Sequence, residues 1–200
     1  MKNFAVFASG HGGNLQAIIN AVKNKRIHAS LKLVFSNKQE AYALVRAHKA
    51  GIPTLFLDPH DFKTREEYDR AIVKELKKHK IDFIVLAGYM RLISSAFIDQ
   101  YPNKILNIHP SLIPAFKGAH GIRDAFEYGA KVTGVTIHFV VEEMDAGAII
   151  AQVPVKITDD DTLLSLEEKI HTAEHKLYPP VIDLFARGRY KIKGRKVITT

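Results

Sequence analysis

Alternation between strand patterns and helix patterns is the feature that most constrains the fold of this chain. Apolar runs typical of buried strands occur at 4–8, 31–36, 54–57, 83–87 and 105–109. Between them, helical periodicity occurs at 15–23, 41–50 and 64–79, with a shorter helix near 95–101. Repeated strand–helix–strand units favour a parallel sheet, because each crossover helix covers one face of the sheet. We therefore predict an α/β fold with a Rossmann-like, mostly parallel sheet and helices on both of its faces.

The C-terminal half has a different pattern. Residues 132–141 alternate between apolar and polar side chains, and 148–155 follow as a second strand, which predicts an antiparallel extension of the sheet. A long helix is predicted from about 162 to 185, with Asp161 as its N-cap. The last residues, 190–198, predict a hairpin.

Chain length and residue usage exclude several classes of protein. Two hundred residues without a linker, repeat or low-complexity segment predict one domain, 1–200. Cysteine is absent, which excludes disulfides, a thiolate nucleophile and a sulfur-ligated metal. No apolar stretch is long enough to cross a bilayer, and the N-terminus lacks a signal-peptide pattern. We therefore predict a cytoplasmic protein with no membrane partner.

The charge of the chain is strongly positive, with 29 Lys and Arg against 21 Asp and Glu and a formal net charge of +8. A basic protein can bind nucleic acid, but no nucleic-acid-binding module is recognisable, and a positive field attracts small anionic substrates equally well. We expect small-molecule substrates and no nucleic acid. A nucleic-acid binder remains an alternative, which a salt-dependent oligonucleotide titration would detect.

Asn107 and His109 stand at the end of the apolar run 105–109, just before Pro110. Proline ends a central strand because it cannot donate a ladder hydrogen bond. Side chains two residues apart in a strand project from the same face, so the amide and the imidazole lie together. At the carboxyl edge of a parallel sheet such a pair faces the crevice where ligands bind. The alternative is that both residues are structural: Asn107 would bond the turn at the end of its strand, and His109 would be a histidine whose hydrogen bonds are satisfied within the fold.

A glycine-rich turn, Gly10-His11-Gly12-Gly13-Asn14, joins the first strand to the first helix. Backbone N–H groups and the positive end of the helix dipole make such a turn a phosphate site. The turn lacks the third glycine of the dinucleotide fingerprint, and no acidic residue ends the second strand, which favours a single phosphate over NAD. A tight turn without a ligand, and an NADP-binding module that uses Ser36 and Lys38, remain alternatives.

Asp145 lies in a glycine-containing turn after the alternating strand. If this turn folds over His109, its carboxylate would fix the imidazole tautomer and favour the protonated ring. His138, on the strand that leads to the turn, is interpreted as a satisfied strand histidine. The spacings of His109, His120 and His138 match no metal-ligand motif, so we expect no metal.

Seven sequence blocks together carry a family resemblance: 9–18, 34–38, 86–93, 106–116, 134–140, 144–152 and 174–179. The most specific are Asn-Ile-His-Pro-Ser-Leu from Asn107 and the later Asp145-Ala-Gly147. On these residues the chain resembles the formyl-folate transferases and hydrolases. Its C-terminal block is most similar to the phosphoribosylglycinamide formyltransferases, also called glycinamide ribonucleotide transformylases.

The resemblance implies transfer of a formyl group from 10-formyltetrahydrofolate, as co-substrate, to the amine of 5-phosphoribosylglycinamide in purine biosynthesis, with no metal, by a monomer or homodimer. The implied catalytic residues are Asn107, His109 and Asp145. The implied contacts to phosphoribosylglycinamide are Gly12, Gly13, Asn14, His171 and Glu174. The implied folate-binding residues are Arg65, Met90, Arg91, Leu92, Ile93, Asn107, Val141, Glu142, Glu143, Met144 and Asp145.

Departures from the family pattern concern the phosphate loop. Gly13 stands where many relatives carry Ser or Thr, His11 replaces a small polar residue, and His171 stands where some members have Gln. These departures concern phosphate binding and leave the reaction implied by the resemblance unchanged. A formyltetrahydrofolate hydrolase-like activity remains the alternative within the family.

Overall fold

One nine-stranded sheet runs through the protein, which is described here for residues 1–200 from a computed structural model. The strands are β1 (Lys2–Phe7), β2 (Ala29–Ser36), β3 (Thr54–Phe56), β4 (Phe83–Leu86), β5 (Ile105–His109), β6 (Val132–Phe139), β7 (Ile149–Lys156), β8 (Tyr190–Lys193) and β9 (Lys196–Thr199). The helices are α1 (Gly13–Lys23), α2 (Tyr42–Lys49), α3 (Arg65–Lys78), α4 (Ser95–Ile98), α5 (Gly121–Glu127) and α6 (Leu163–Ala186).

The sheet has the order β3-β2-β1-β4-β5-β6-β7-β9-β8. The first five strands in this order are parallel, whereas β6 is antiparallel to both β5 and β7. The terminal hairpin of β8 and β9 joins the edge through one parallel bridge between Ile149 and Lys196. The predicted parallel sheet with an antiparallel extension is therefore confirmed.

Two apolar cores form because side chains of a strand alternate between the faces of the sheet. Phe4 and Val6 of β1 lie in the core that α1, α2 and α6 cover. Ala5 and Phe7 of the same strand lie in the core that α3 and α4 cover. Helices thus cover both faces, and β1 is buried on both.

Helix boundaries follow the capping chemistry with one correction. The Thr64 hydroxyl accepts from the Glu67 N–H at 3.1 Å, as expected for the start of α3. For α6 the expected cap Asp161 is wrong: the cap is Thr162, which accepts from the Ser165 N–H at 3.1 Å. Asp161 instead accepts the Thr158 N–H at 2.8 Å in the preceding turn. No helix combines the length and the hydrophobicity that a membrane crossing requires.

Candidate active site

The candidate site lies at the carboxyl ends of β1, β4 and β5, which are neighbours in the sheet. A buried tyrosine of α6 joins two of these strand ends: the Tyr178 hydroxyl lies 2.9 Å from the Leu86 carbonyl and 3.2 Å from the Leu106 carbonyl. This contact places the α6 segment around Glu174, one helical turn earlier, next to the same edge of the sheet.

His109 and Asp145 meet at the end of β5. The His109 Nδ1 lies 3.4 Å from Asp145 Oδ2, and both side chains are buried. The other ring nitrogen, Nε2, lies 2.8 Å from the Phe116 carbonyl. Because both ring nitrogens face acceptors, the doubly protonated imidazolium is the form that can donate to both.

Asn107 lies beside this pair, held by a histidine that the sequence analysis had interpreted as purely structural. The Asn107 Nδ2 donates to His138 Nε2 at 3.2 Å, and His138 Nδ1 donates to the Phe139 carbonyl at 2.8 Å. His138 Nε2 also lies 3.5 Å from Asp145 Oδ1. His138 Nε2 thus lies between the amide and the carboxylate: the neutral ring accepts from Asn107, whereas only a protonated ring could donate to Asp145. With the neutral ring, the second N–H of the Asn107 amide remains available.

The turn that carries Asp145 is packed against the end of β6. A Cβ atom on Gly147 would lie 1.7 Å from the Phe139 carbonyl oxygen, so only glycine permits this approach. The backbone of Asp145 itself has a φ of 52°. Its Oδ2 accepts from the Gly118 N–H at 2.9 Å. The turn thus folds over the end of β5.

The pKa of Asp145 lies below its ordinary value. Burial alone would raise it, but the contact with His138, the Gly118 N–H and the charge of His109 together outweigh burial. The carboxylate is therefore ionised at neutral pH and faces two imidazole rings.

A cavity of about 380 Å³ opens beside these residues. Its wall includes most of the predicted folate-binding residues: Met90, Arg91, Leu92, Ile93, Asn107, Val141, Glu142, Met144 and Asp145. Four of them expose large apolar side chains to solvent, namely Met90 (70%), Leu92 (60%), Met144 (51%) and Val141 (39%). Exposed apolar side chains around a concave surface are typical of a ligand site.

Two predicted folate-binding residues do not line this cavity. Arg65 lies at the start of α3, where its Nε is 3.8 Å from a carboxylate oxygen of Glu66. Glu143 is exposed and pairs with Lys117 at 3.3 Å. Both expectations came from the family resemblance, and in the structure each of these long side chains lies beside a partner of opposite charge.

Ser9 connects the glycine-rich turn to the cavity wall. Its hydroxyl donates to Asn37 Oδ1 at 2.6 Å and accepts from the Met90 N–H at 2.9 Å. Ser36, the expected feature of an NADP module, is fully buried, and its hydroxyl accepts from the Lys38 N–H at 3.0 Å. Residues 36–38, at the end of β2, thus form hydrogen bonds within the protein that shape this loop, which argues against dinucleotide binding.

Gly12 shapes the start of α1. It has a φ of 77°, and a Cβ atom there would lie 2.9 Å from the Cα of Ala43. It occupies the N-cap position of α1, so no side chain caps the helix. The first N–H groups of α1 therefore lack a side-chain acceptor and remain available to an anion.

Asn14, His171 and Glu174 meet next to this helix terminus. Glu174 is buried, and its Oε2 lies 2.9 Å from Asn14 Nδ2 and 3.0 Å from His171 Nδ1. The Oδ1 of Asn14 is buried without a hydrogen-bond partner. A buried acceptor without a partner is costly, so this oxygen is suited to a ligand hydroxyl.

His175 adds a second imidazole that the sequence analysis did not single out. Its Nε2 lies 3.0 Å from the position that a Cβ on Gly13 would take. Its ring stacks on His171 with 6.5 Å between the ring centroids. Hydrogen bonding to Glu174 raises the pKa of His171, whereas burial lowers the pKa of His175.

Similarity to known families distinguishes a formyl-folate enzyme from an NADP-binding module. The formyl transferase family pattern matches residues 2–182, which is most of the chain. The chain belongs to the formyl transferase family. Strands β1 to β7, the glycine-rich turn and the Asn107–His109–Asp145 cluster lie within the part of the chain that this family pattern covers, whereas β8 and β9 follow it.

Two relatives of this formyl transferase are similar to it over nearly their whole length, and a third, longer protein is similar over one segment. A phosphoribosylglycinamide formyltransferase from Bacillus subtilis is 44% identical over 182 residues, covering 91% of this chain and 93% of the relative. The crystal structure of glycinamide ribonucleotide transformylase 1 from Symbiobacterium toebii superposes with a TM-score of 0.97 at 43% identity, covering 100% of this chain and 94% of that one. The trifunctional purine biosynthetic protein adenosine-3 of Gallus gallus is 44% identical over 188 residues, 94% of this chain but 19% of that protein.

Proposed function

We propose that this formyl transferase moves the formyl group of 10-formyltetrahydrofolate to the amine of 5-phosphoribosylglycinamide, a step of purine biosynthesis. One observation carries the proposal: an amide, an imidazole and a carboxylate converge in one cavity, beside an uncapped helix terminus. The extended similarity to proteins named phosphoribosylglycinamide formyltransferase supports it.

The glycine-rich turn is our candidate for the substrate phosphate. Backbone N–H groups of Gly12, Gly13 and Asn14 would donate to the phosphate oxygens, helped by the dipole of α1. Glu174 and the unpartnered Oδ1 of Asn14 are two buried acceptors suited to the ribose hydroxyls. His171, adjacent to Glu174, adds positive charge when protonated.

The cavity at the ends of β4 and β5 is our candidate for formyl-folate. Its apolar side chains suit the flat ring system and the benzoyl group, while the polar groups of the 141–145 turn suit the ring nitrogens. Asn107 and His109 lie at its inner wall, so a formyl group carried by this ligand would meet both.

The proposed chemistry is direct attack of the substrate amine on the formyl carbon. A carbon–nitrogen bond forms, the carbonyl oxygen becomes an oxyanion, and collapse breaks the bond to the folate nitrogen. The free N–H of Asn107 and an N–H of the His109 imidazolium are donors for the oxyanion. The departing folate nitrogen receives a proton and the attacking amine loses one, with His109 as the shuttle and Asp145 holding its charge.

The decisive experiment follows loss of the formyl group with and without phosphoribosylglycinamide. We expect formyl loss only when the amine is present, with formylated product formed in equal amount. Equal loss with and without the amine would instead establish a hydrolase-like activity. No loss in either case, with NADP binding in a nicotinamide titration, would overturn the proposal.

We also propose that residues 1–200 act as one formyl transferase domain, because a single sheet and its two cores extend through the chain. The monomeric or homodimeric state, the cytoplasmic location, and activity without metal, nucleic acid or membrane stay predictions.

A further inference from the structure

The outer side of the glycine-rich turn is held by an arginine that the proposed chemistry does not use. Arg46 lies on α2, and its Nε donates to the His11 carbonyl at 2.8 Å. Its Nη1 donates to the side-chain oxygen of Gln16, in the first turn of α1, at 3.1 Å. Because the guanidinium is planar and its donors have a fixed geometry, these two bonds tie the turn to α1 in one orientation.

The arginine is itself held by an aromatic side chain of the same helix. Its guanidinium carbon lies 4.9 Å from the ring centroid of Tyr42, which is a cation–π contact. The Tyr42 ring also stacks on the His11 ring, with 5.4 Å between the centroids. In addition, the Ala43 N–H donates to the Gly10 carbonyl at 3.1 Å. The contacts of α2 therefore reach both of the residues that precede Gly12.

The glycine-rich turn needs such support because its own residues do not fix its shape. It contains glycine at positions 10, 12 and 13, and no side chain caps α1. Glycine has the largest backbone freedom of any residue, so surrounding contacts must hold the N–H groups of the turn if they are to converge on one anion. A Cβ atom on Gly12 would lie 3.4 Å from the Arg46 Cδ, which places the arginine directly behind the turn.

The charge of Arg46 is not neutralised by a carboxylate. Every ion pair in the protein involves other residues, and Arg46 donates to a backbone carbonyl and a neutral amide oxygen. The charge also acts on the other side of the turn, where His175 faces Gly13. Burial is the main cause that lowers the pKa of His175, and the charge of Arg46 contributes to the lowering. Arg46 therefore makes the phosphate side of the turn more positive.

We propose that Arg46 is a positioning residue for the substrate phosphate, because it keeps the N–H groups of the turn converged and places a positive charge behind them. This inference rests on the proposed function, since it takes the turn as the phosphate site for phosphoribosylglycinamide. The side chain of Arg46 forms hydrogen bonds with His11 and Gln16 and with none of the three catalytic residues. It should therefore act on affinity for the phosphorylated substrate and not on the chemical step.

The test measures kcat and the KM for each of the two substrates in the unmodified protein and in Arg46→Gln. Loss of a hydrogen bond that involves a charged group lowers an affinity by about tenfold or more. We expect the KM for phosphoribosylglycinamide to rise about tenfold in Arg46→Gln, and its dissociation constant, measured by calorimetric titration, to rise by the same factor. The KM for formyl-folate and kcat should stay unchanged, because neither depends on the phosphate contacts.

A conservative variant separates the shape of the side chain from its charge. Arg46→Lys keeps the charge, but an ammonium group cannot reproduce the planar fork that joins His11 to Gln16. We expect its KM for phosphoribosylglycinamide to lie between those of the unmodified protein and Arg46→Gln. Arg70→Gln is the matched control, with the same change in net charge at an exposed position of α3, on the opposite face of the sheet. Its KM for phosphoribosylglycinamide should be unchanged.

Three outcomes would overturn the inference and leave the proposed function intact. The first is a normal KM for phosphoribosylglycinamide in Arg46→Gln, and the second is a normal value in Arg46→Lys. The third is an equal rise of both KM values, which would indicate general damage to the fold. If Arg46→Gln does not fold, the lysine variant decides by a rise in the KM for phosphoribosylglycinamide alone. If the unmodified protein transfers no formyl group to phosphoribosylglycinamide, the proposed function itself fails.

Discussion

The amide of Asn107 is the clearest single-residue test of the site. One of its N–H groups is bonded to His138, so the other is the donor available to an oxyanion. Loss of one oxyanion donor typically costs about a hundred- to a thousandfold in turnover. We expect the turnover of Asn107→Ala, measured in a steady-state assay, to fall by this factor. Its thermal midpoint, measured by a melting curve, should be unchanged. Near-normal turnover would reduce Asn107 to a strand-end cap.

Gly12 tests the phosphate site. A valine there would need a φ near 77° and would bring its Cβ within 2.9 Å of the Ala43 Cα. Phosphoribosylglycinamide at a hundredfold excess over its dissociation constant should stabilise the unmodified protein by about 2.7 kcal/mol. We expect Gly12→Val to lose this stabilisation, measured by ligand-dependent thermal melting. Gly10→Ala is the control, since a Cβ at position 10 meets no atom within 4 Å.

His171 makes stability depend on pH. Its hydrogen bond to the Glu174 carboxylate raises its pKa above the ordinary value of 6.5. The stabilisation is therefore complete below pH 6.5 and is lost as the pH rises through the raised value. We expect the unmodified protein to have a higher thermal midpoint than His171→Gln at pH 5.5, and the same thermal midpoint at pH 9. His48→Gln, at an exposed site without an ion pair, should show no such change. An equal difference in thermal midpoint between the two proteins at both pH values would contradict a stabilising contact between protonated His171 and Glu174.

At the scale of elements, the turn that carries Asp145 depends on Gly147. Alanine there would place its Cβ 1.7 Å from the Phe139 carbonyl oxygen and force the turn away from β6. We expect Gly147→Ala to lower both the thermal midpoint and turnover. The separate phosphate site should still show ligand-induced stabilisation. Normal turnover in this variant would mean that Asp145 does not need its observed position.

Periodicity and capping were sufficient to predict most elements and the sheet type, because strand and helix periods depend on local sequence. The cross-strand pairing of Asn107 with His138 was not predictable, since it depends on the register between β5 and β6. The role of His138 was missed for this reason. Arg65 and Glu143, expected at the folate site from the family resemblance, lie outside the cavity wall, where Arg65 is beside its sequence neighbour Glu66 and Glu143 is beside Lys117.

At the scale of the whole molecule, the site lies where the sheet topology reverses. β1 is followed by β2 and β3 on one side, and the chain then returns to place β4 and β5 on the other. The helices that follow β1 and β4, α1 and α4, cover opposite faces of the sheet, which leaves a crevice beyond the strand ends, the general position of ligands in such sheets. The Ser9 hydroxyl spans this crevice to the Met90 N–H. Fold class alone therefore located the site, whereas its chemistry required the residues.

The contact between the Phe116 carbonyl and His109 bears on loss of the formyl group to water. The carbonyl oxygen lies 2.8 Å from His109 Nε2, on a backbone with a φ of 50° at Phe116, and so accepts from an Nε2–H. A bound formyl group would therefore compete with the Phe116 carbonyl for that N–H. A resting protein built this way has a safeguard against wasting its activated one-carbon donor. Deformylation without the amine substrate should be slow, because the His109 N–H is already engaged by the Phe116 carbonyl.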